Sequence, residues 1–252
     1  MSNPMAGIAR SDTYSKEELL IATMARLFGD GTFMTAGVNS PIPAAAGLLR
    51  EQVDPGFYVA VHGDPGRTPF VDGGAEAFDM AAQGRLDVFV FGGVQVDGKA
   101  NINLVGIGPY PQAKKRFAGT FGAASLFYLV RNIVLFFPKH DRRTLVEAVD
   151  FKSASAIGPK EAYRTGSPRW LLSERCLFRF DLEKERFTLV SVHPGHSLEE
   201  VREHTGFSFD VTDRVEMTAV PTTAERELIR GPVRDALSKP YPDFARKLLA
   251  RQ

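Results

Sequence analysis

Apolar residues first recur at helical spacing at Leu20, Met24, Leu27 and Phe28, behind the capping-box pair Ser15 and Glu18 and ahead of a stop at Gly29 and Gly31. The period then changes. A short strand over residues 32–35 runs into Ala36-Gly37-Val38-Asn39-Ser40-Pro41, where Ser40 is placed to cap a second helix and Pro41 to open it. Another strand, residues 57–61, is bounded by Pro55-Gly56 and Gly63-Asp64-Pro65-Gly66, and Ala77, Phe78 and Ala81 give residues 74–83 a helical face. The run Asp87-Val88-Phe89-Val90-Phe91 is apolar after its first residue and stops at Gly92-Gly93, which predicts a central strand covered on both faces. Further strands are expected at 102–105, 133–137 and 144–149. Past Pro159 the apolar runs 170–173, 177–181 and 187–192 follow one another closely, the mark of an antiparallel meander. Helices at 197–203 and, from a Thr222/Glu225 capping box, at 222–237 close the pattern. Residues 1–13 carry no periodicity and read as a mobile leader, with 14–252 a single domain. The expected fold is α/β: an open, mostly parallel sheet flanked by helices, with a smaller antiparallel patch in the C-terminal half.

Composition narrows the class of partner. Thirty-one Lys and Arg against thirty Asp and Glu leave a net charge of +1, so no global field draws in nucleic acid or an anionic membrane. The single cysteine, Cys176, has no partner for an internal disulfide, and without other cysteines a metal site is not expected. No apolar run approaches the roughly 18 residues of a membrane span, and the N-terminus lacks the apolar core of a secretory signal. These features predict a soluble, cytoplasmic protein.

Candidate chemistry gathers at turns. The strand-to-helix turn marked by Ser40 and Pro41 offers backbone N–H groups of the helix start either to an anion or merely to a cap. Gly92 and Gly93 permit close approach of a ligand or of another stretch of backbone. In Phe117-Ala118-Gly119-Thr120-Phe121-Gly122-Ala123-Ala124-Ser125, small residues suit a pair of N–H groups facing a carbonyl oxygen, although a plain loop fits equally well; neither nucleotide-binding glycine pattern is present. Of the five histidines, His193 and His196 read as surface residues between a strand and a helix. His62 differs, because it ends an expected parallel strand, where ligands of open α/β sheets bind, with Asp64, Asp72 and Glu76 near enough in sequence to polarise it.

Several ordered segments together resemble the family I CoA-transferases. Phe91-Gly92-Gly93-Val94-Gln95-Val96-Asp97-Gly98-Lys99-Ala100-Asn101-Ile102-Asn103 is similar to that family's Gly-Gly/Ala-x-Gln-Val/Ile-Asp-x-x-Gly-Asn-x-Asn segment, with Ala100 in place of the later glycine and Gly98 displaced from it. Lys115-Arg116-Phe117 with Gly119, Gly122 and Ala123 resembles its Arg-Phe-x-Gly-x-Gly-Gly-Ala loop. His193-Pro194-Gly195, Val201 and Thr205-Gly206-Phe207 resemble a C-terminal Pro…Val…Thr-Gly-Phe stretch, and Glu227-Leu228-Ile229-Arg230 its last helix. The likeness runs from about Ser15 to Arg234 and is greatest to β-subunits of the glutaconate and 3-oxoacid type.

The resemblance implies a CoA thioester as substrate, no bound cofactor and no metal. It also implies a homologous α-subunit in an αβ or α2β2 assembly, with self-association when the chain is alone. Ser40, Gly92, Gly93, Gln95, Asn101, Gly119, Gly122 and Ala123 are the substrate- or CoA-binding residues so implied. In the family a glutamate ends the strand at 57–61; its carboxylate attacks the acyl-CoA thioester to form an acyl-glutamyl anhydride and then carries CoA as a glutamyl thioester. Here His62 occupies that place and is the catalytic candidate. An imidazole serves as a base or transient acyl acceptor but cannot form that carboxyl-derived anhydride and thioester. Three readings follow: a transferase with an altered or partner-supplied nucleophile, a C–C hydrolase of the steroid ring-degrading type with its carboxylate on the partner, or a non-catalytic subunit shaping the CoA pocket. Whether Asp64 or Glu76 replaces the carboxylate stays open at this level.

Overall fold

The structure is a computed structural model that describes residues 14–72, 74–159 and 161–249; the leader expected at 1–13 lies outside them. In chain order the elements are α1 (Lys16–Arg26), β1 (Phe33–Ala36), α2 (Pro41–Val53), β2 (Tyr58–Val61), α3 (Ala75–Ala82) and β3 (Val88–Phe91). Two small hairpins follow, β4 (Gln95–Val96) with β5 (Ile102–Asn103) and β6 (Gly106–Ile107) with β7 (Lys115–Arg116). Then come α4 (Ala123–Leu129), β8 (Asn132–Phe137), β9 (Pro168–Ser173), β10 (Cys176–Asp181), β11 (Arg186–Val192), α5 (Leu198–His204) and β12 (Asp210–Met217). The chain continues through α6 (Thr223–Leu228), a π-type turn (Ile229–Val233), α7 (Arg234–Leu237) and α8 (Pro242–Leu249).

Eight strands form one sheet in the order β12-β11-β10-β9-β8-β3-β1-β2. Only the β9-β10 and β10-β11 pairs are antiparallel, so the expected meander is an insert within a mostly parallel sheet. Alternation decides which side chains meet which layer. On β8, Val134 and Phe136 join one buried cluster with Leu20, Met24 and Leu48 of α1 and α2, while Ile133, Leu135 and Phe137 join the opposite cluster with Phe127, Phe178 and Phe187. Both faces of the central strands are therefore covered, and β3 behaves in the same way through Val88 and Val90 on one side and Phe91 on the other. Both expected capping boxes form, Ser15 with Glu18 and Thr222 with Glu225.

Three expectations are corrected. Residues 144–149 form no strand: the Asp141 carboxylate accepts the N–H groups of Arg143 and Thr144 and sets a turn, leaving a single bridge between Leu145 and Val96. The strand at 102–105 shortens to Ile102–Asn103 and pairs with β4 outside the main sheet. The helix expected at 222–237 breaks around Gly231 and Pro232, where Gly231 leaves helical geometry. Elements not foreseen are β4, α4, the β6-β7 hairpin, the edge strand β12 and α8. No helix among the described residues is long and apolar enough to cross a membrane.

Candidate active site

The carboxyl ends of β3, β1 and β2 lie side by side, the usual place for ligands on an open α/β sheet. Ala36 of β1 stands opposite Val61 of β2, and the His62 backbone N–H donates to the Ala36 carbonyl at 3.1 Å, so His62 is the first residue past the strand. Its half-buried imidazole stacks on Phe70, with ring centroids 5.3 Å apart and planes inclined by 17°. Phe70 is fixed from beneath by Ala60 and Ala77 and by the edge of Phe33. Burial pushes the His62 pKa down, so the ring is neutral at pH 7 and one ring nitrogen offers a lone pair.

The neighbouring carboxylates do not polarise it, contrary to expectation. Asp64 is buried, accepts the Gly66 N–H at 3.0 Å and faces Lys239 Nζ at 3.4 Å. Asp72 accepts the N–H groups of Gly74 and Glu76, which hold its carboxyl below the usual range. Glu76 accepts those of Val71 at 2.6 Å and Asp72 at 3.4 Å. All three fold the 62–74 loop, a task Asp and Glu perform wherever successive N–H groups lack strand or helix partners.

Ser40 occupies the N-cap position of α2, but its hydroxyl donates to the Val38 carbonyl at 3.4 Å rather than capping the helix. Gly93 answers a backbone need: a side chain there would come within 3.0 Å of the Asn103 carbonyl and 3.2 Å of Phe137. Gly92 stays exposed at the strand end. In the glycine loop, Gly119 and Gly122 take left-handed φ values of 111° and 67°, and Ala123 donates to the Thr120 carbonyl and starts α4. No protein acceptor among the described residues takes the N–H groups of Gly119, Thr120, Phe121 or Gly122. They are free to receive a developing oxyanion. This loop and the 62–74 loop meet through α3, where Phe78 packs on Phe121 with centroids 5.4 Å apart.

Gln95 and Asn101 are buried and engaged in the hairpin they belong to. Gln95 Oε1 accepts from Asn103 Nδ2 at 2.7 Å and from the Asp150 N–H at 3.0 Å, while its Nε2 donates to Asp150 at 3.2 Å. Asn101 Nδ2 donates to both oxygens of Asp97 at 3.0 and 2.8 Å. Asn101 also lines a cleft of about 820 Å³ together with Lys99, Glu147, Lys152, Lys184 and Phe207. His62 and the glycine loop take no part in that cleft.

A second polar cluster sits at the carboxyl ends of β8 and β9, and the sequence did not betray it. His140 Nδ1 is 2.7 Å from Ser173 Oγ and its Nε2 is 2.9 Å from Thr205 Oγ1. His193, expected at the surface, is instead buried between the Ser173 carbonyl at 3.0 Å and Thr218 Oγ1 at 2.8 Å. Burial pushes His140 down to about 3 and His193 to about 4, and raises the thiol of the neighbouring Cys176. Ser173 Oγ also accepts the N–H groups of Arg175 and Cys176, so the pair pins the β9-β10 turn and is closed to substrate. The signal that could have placed His193 was its position directly after an apolar strand. Among the described residues no group of three His, Cys, Asp or Glu is placed to hold a metal.

The chain is 28% identical over 243 residues to a subunit of the 3-oxoadipate CoA-transferase of Pseudomonas knackmussii, covering 86% of this chain and 93% of that one. It is 30% identical over 159 residues to the cholesterol ring-cleaving hydrolase IpdB subunit of Rhodococcus jostii, covering 62% of each. A crystal structure of the decarboxylase AibA/AibB superposes with a TM-score of 0.71 at 26% identity, over 89% of this chain and 99% of that one. Because the family model described as coenzyme A transferase spans residues 17–204, from α1 through α5, this chain is a member of the coenzyme A transferase family.

Proposed function

We propose that the chain is the β-type subunit of an enzyme acting on acyl-CoA thioesters, working with a homologous α-subunit and moving CoA between carboxylic acids through a site without the usual β-chain glutamate. The observation that carries this reading is that the N–H groups of residues 119–122 find no acceptor among the described residues, on a loop packed against α3 through Phe121 and Phe78, while His62 ends the parallel strand β2. The N–H groups suit the oxygen of a thioester carbonyl as it becomes tetrahedral. Neutral His62 suits proton removal from an attacking group, or an electrostatic role beside it. The covalent carboxylate then belongs to the partner chain, because Asp64, Asp72 and Glu76 are spent on backbone N–H groups. A site on strand ends also needs a second wall to exclude water from the thioester, which a partner subunit supplies.

A second reading, hydrolysis of a C–C bond in a cyclic 3-oxoacyl-CoA, is favoured by the 30% identity to a ring-cleaving hydrolase subunit. Incubation of the native assembly with acyl-CoA and borohydride or hydroxylamine separates the chemistries. An adduct on a partner carboxylate that depends on an acceptor acid supports transfer, and consumption of a cyclic 3-oxoacyl-CoA without any adduct supports hydrolysis. An adduct on a carboxylate of this chain would overturn the assignment of roles.

A further inference from the structure

Phe121 is a bulky residue held where a glycine would be expected. Its φ is +42°, in the left-handed region that disfavours an L side chain, and the ring is 70% exposed to solvent. It stands where the loop pattern Arg-Phe-x-Gly-x-Gly-Gly-Ala, read from Arg116 onward, has its middle glycine. Neither the backbone nor burial accounts for it. The surroundings nonetheless accommodate the ring closely. A side chain on Gly74 would lie 3.0 Å from it, and Gly122 leaves space for Phe78, the ring beneath, which an added Cβ would approach to 2.6 Å. Val71, 90% exposed, projects from the same 62–74 loop that carries Phe70 under His62. The imidazole stacks on Phe70, and the Phe121 ring lies against Gly74 four residues further along, with Val71 between those two contacts in sequence. The Asp72 carboxylate accepts the N–H groups of Gly74 and Glu76, and Glu76, in the first turn of α3, accepts that of Val71, so both carboxylates lie beside the residues that flank this surface.

We infer that Phe121 determines substrate specificity: its ring, with Val71, forms an apolar wall for the acyl group of a CoA thioester and selects neutral, apolar acyl groups over those ending in a second carboxylate. The inference rests on the acyl-CoA reading of the site. An aliphatic or aromatic acyl group gains by leaving water against the ring. A terminal carboxylate would lose hydration there and meet Asp72 and Glu76 of like charge.

Calorimetric titration of the native assembly with butyryl-CoA, glutaryl-CoA and free CoA tests it. Butyryl-CoA should bind on the order of ten-fold more tightly than glutaryl-CoA. Phe121→Gly should bring that ratio close to one while leaving the Kd of free CoA and the melting temperature undiminished, since glycine suits the left-handed backbone. Phe121→Leu should retain an intermediate ratio. An unchanged ratio in Phe121→Gly would overturn the inference, as would dissociation of the partner chain, which would make the ring an interface residue. If free CoA and both thioesters all fail to bind the unaltered assembly, the acyl-CoA reading itself falls, an outcome distinct from an unchanged ratio.

Discussion

At the scale of the residue, His62 has its chemistry set by Phe70. The ring stacked on one face of the imidazole excludes water, which lowers the His62 pKa and keeps the basic form populated below the ordinary value of about 6.5. If His62 is the base, kcat/KM should fall on acidification with a midpoint below that value, and Phe70→Leu, which admits water, should move the midpoint upward. His62→Ala should then lower kcat/KM by about 10²- to 10⁴-fold, whereas a base on the partner would leave most of the rate. The strand-turn position of His62 was legible in the sequence, because apolar alternation ends there and glycines follow. The stacking was not, since Phe70 lies eight residues on in a loop without periodicity. Proximity in sequence misled in the opposite direction for Asp64, Asp72 and Glu76, whose carboxylates close local turns.

Elements differ in legibility according to how many of their faces are buried. β3 and β8 are apolar on both sides and α1 opens with a capping box, so pattern alone locates them. β12 reads Asp210-Val211-Thr212-Asp213-Arg214-Val215-Glu216-Met217, half-solvated at the sheet edge, and its strand character comes from pairing with β11. Beside apolar packing and the Arg26–Glu225 and Lys247–Glu17 pairs, a buried carboxylate joins α1 to the C-terminal elements: Glu18 accepts from Arg230 Nε at 2.5 Å and Nη2 at 3.1 Å and from the Ser15 N–H at 2.6 Å. Arg230→Ala strands that carboxylate and should cost roughly 3 kcal/mol, measured by urea unfolding. Glu18→Gln keeps an acceptor for Ser15 and leaves a partly exposed guanidinium to water, so its cost should be the smaller of the two.

For the molecule as a whole, the buried histidines set its behaviour in acid. His140 and His193 have folded pKa values near 3 and 4, below the ordinary value of about 6.5 expected once unfolded. Above that pH both states are neutral at these rings and nothing is lost. As pH falls below it, the unfolded chain takes up protons that the folded chain refuses, so stability declines until the folded values are reached. Linkage gives a loss of about 2 kcal/mol per histidine at pH 5. Urea midpoints at pH 7 and pH 5 should show it, and His140→Gln should flatten the dependence, though at a cost in stability at pH 7. The partners of these rings were not visible in the sequence, because Ser173, Thr205 and Thr218 come from distant segments.

The placement of β2 at the end of the sheet order has a consequence for how such a scaffold changes its trade. Val59, Ala60 and Val61 are buried and hold the strand in register, and the Arg67 carbonyl closes its outer side by accepting the Val61 N–H at 3.1 Å. Position 62 stands just beyond this lock, with its side chain outside the two large cores. A side chain exchanged there leaves the buried strand and its register as they are, so what this rim presents is separable from the frame that carries it. His62→Glu should accordingly fold with an unchanged midpoint in urea, whatever reaction it then supports.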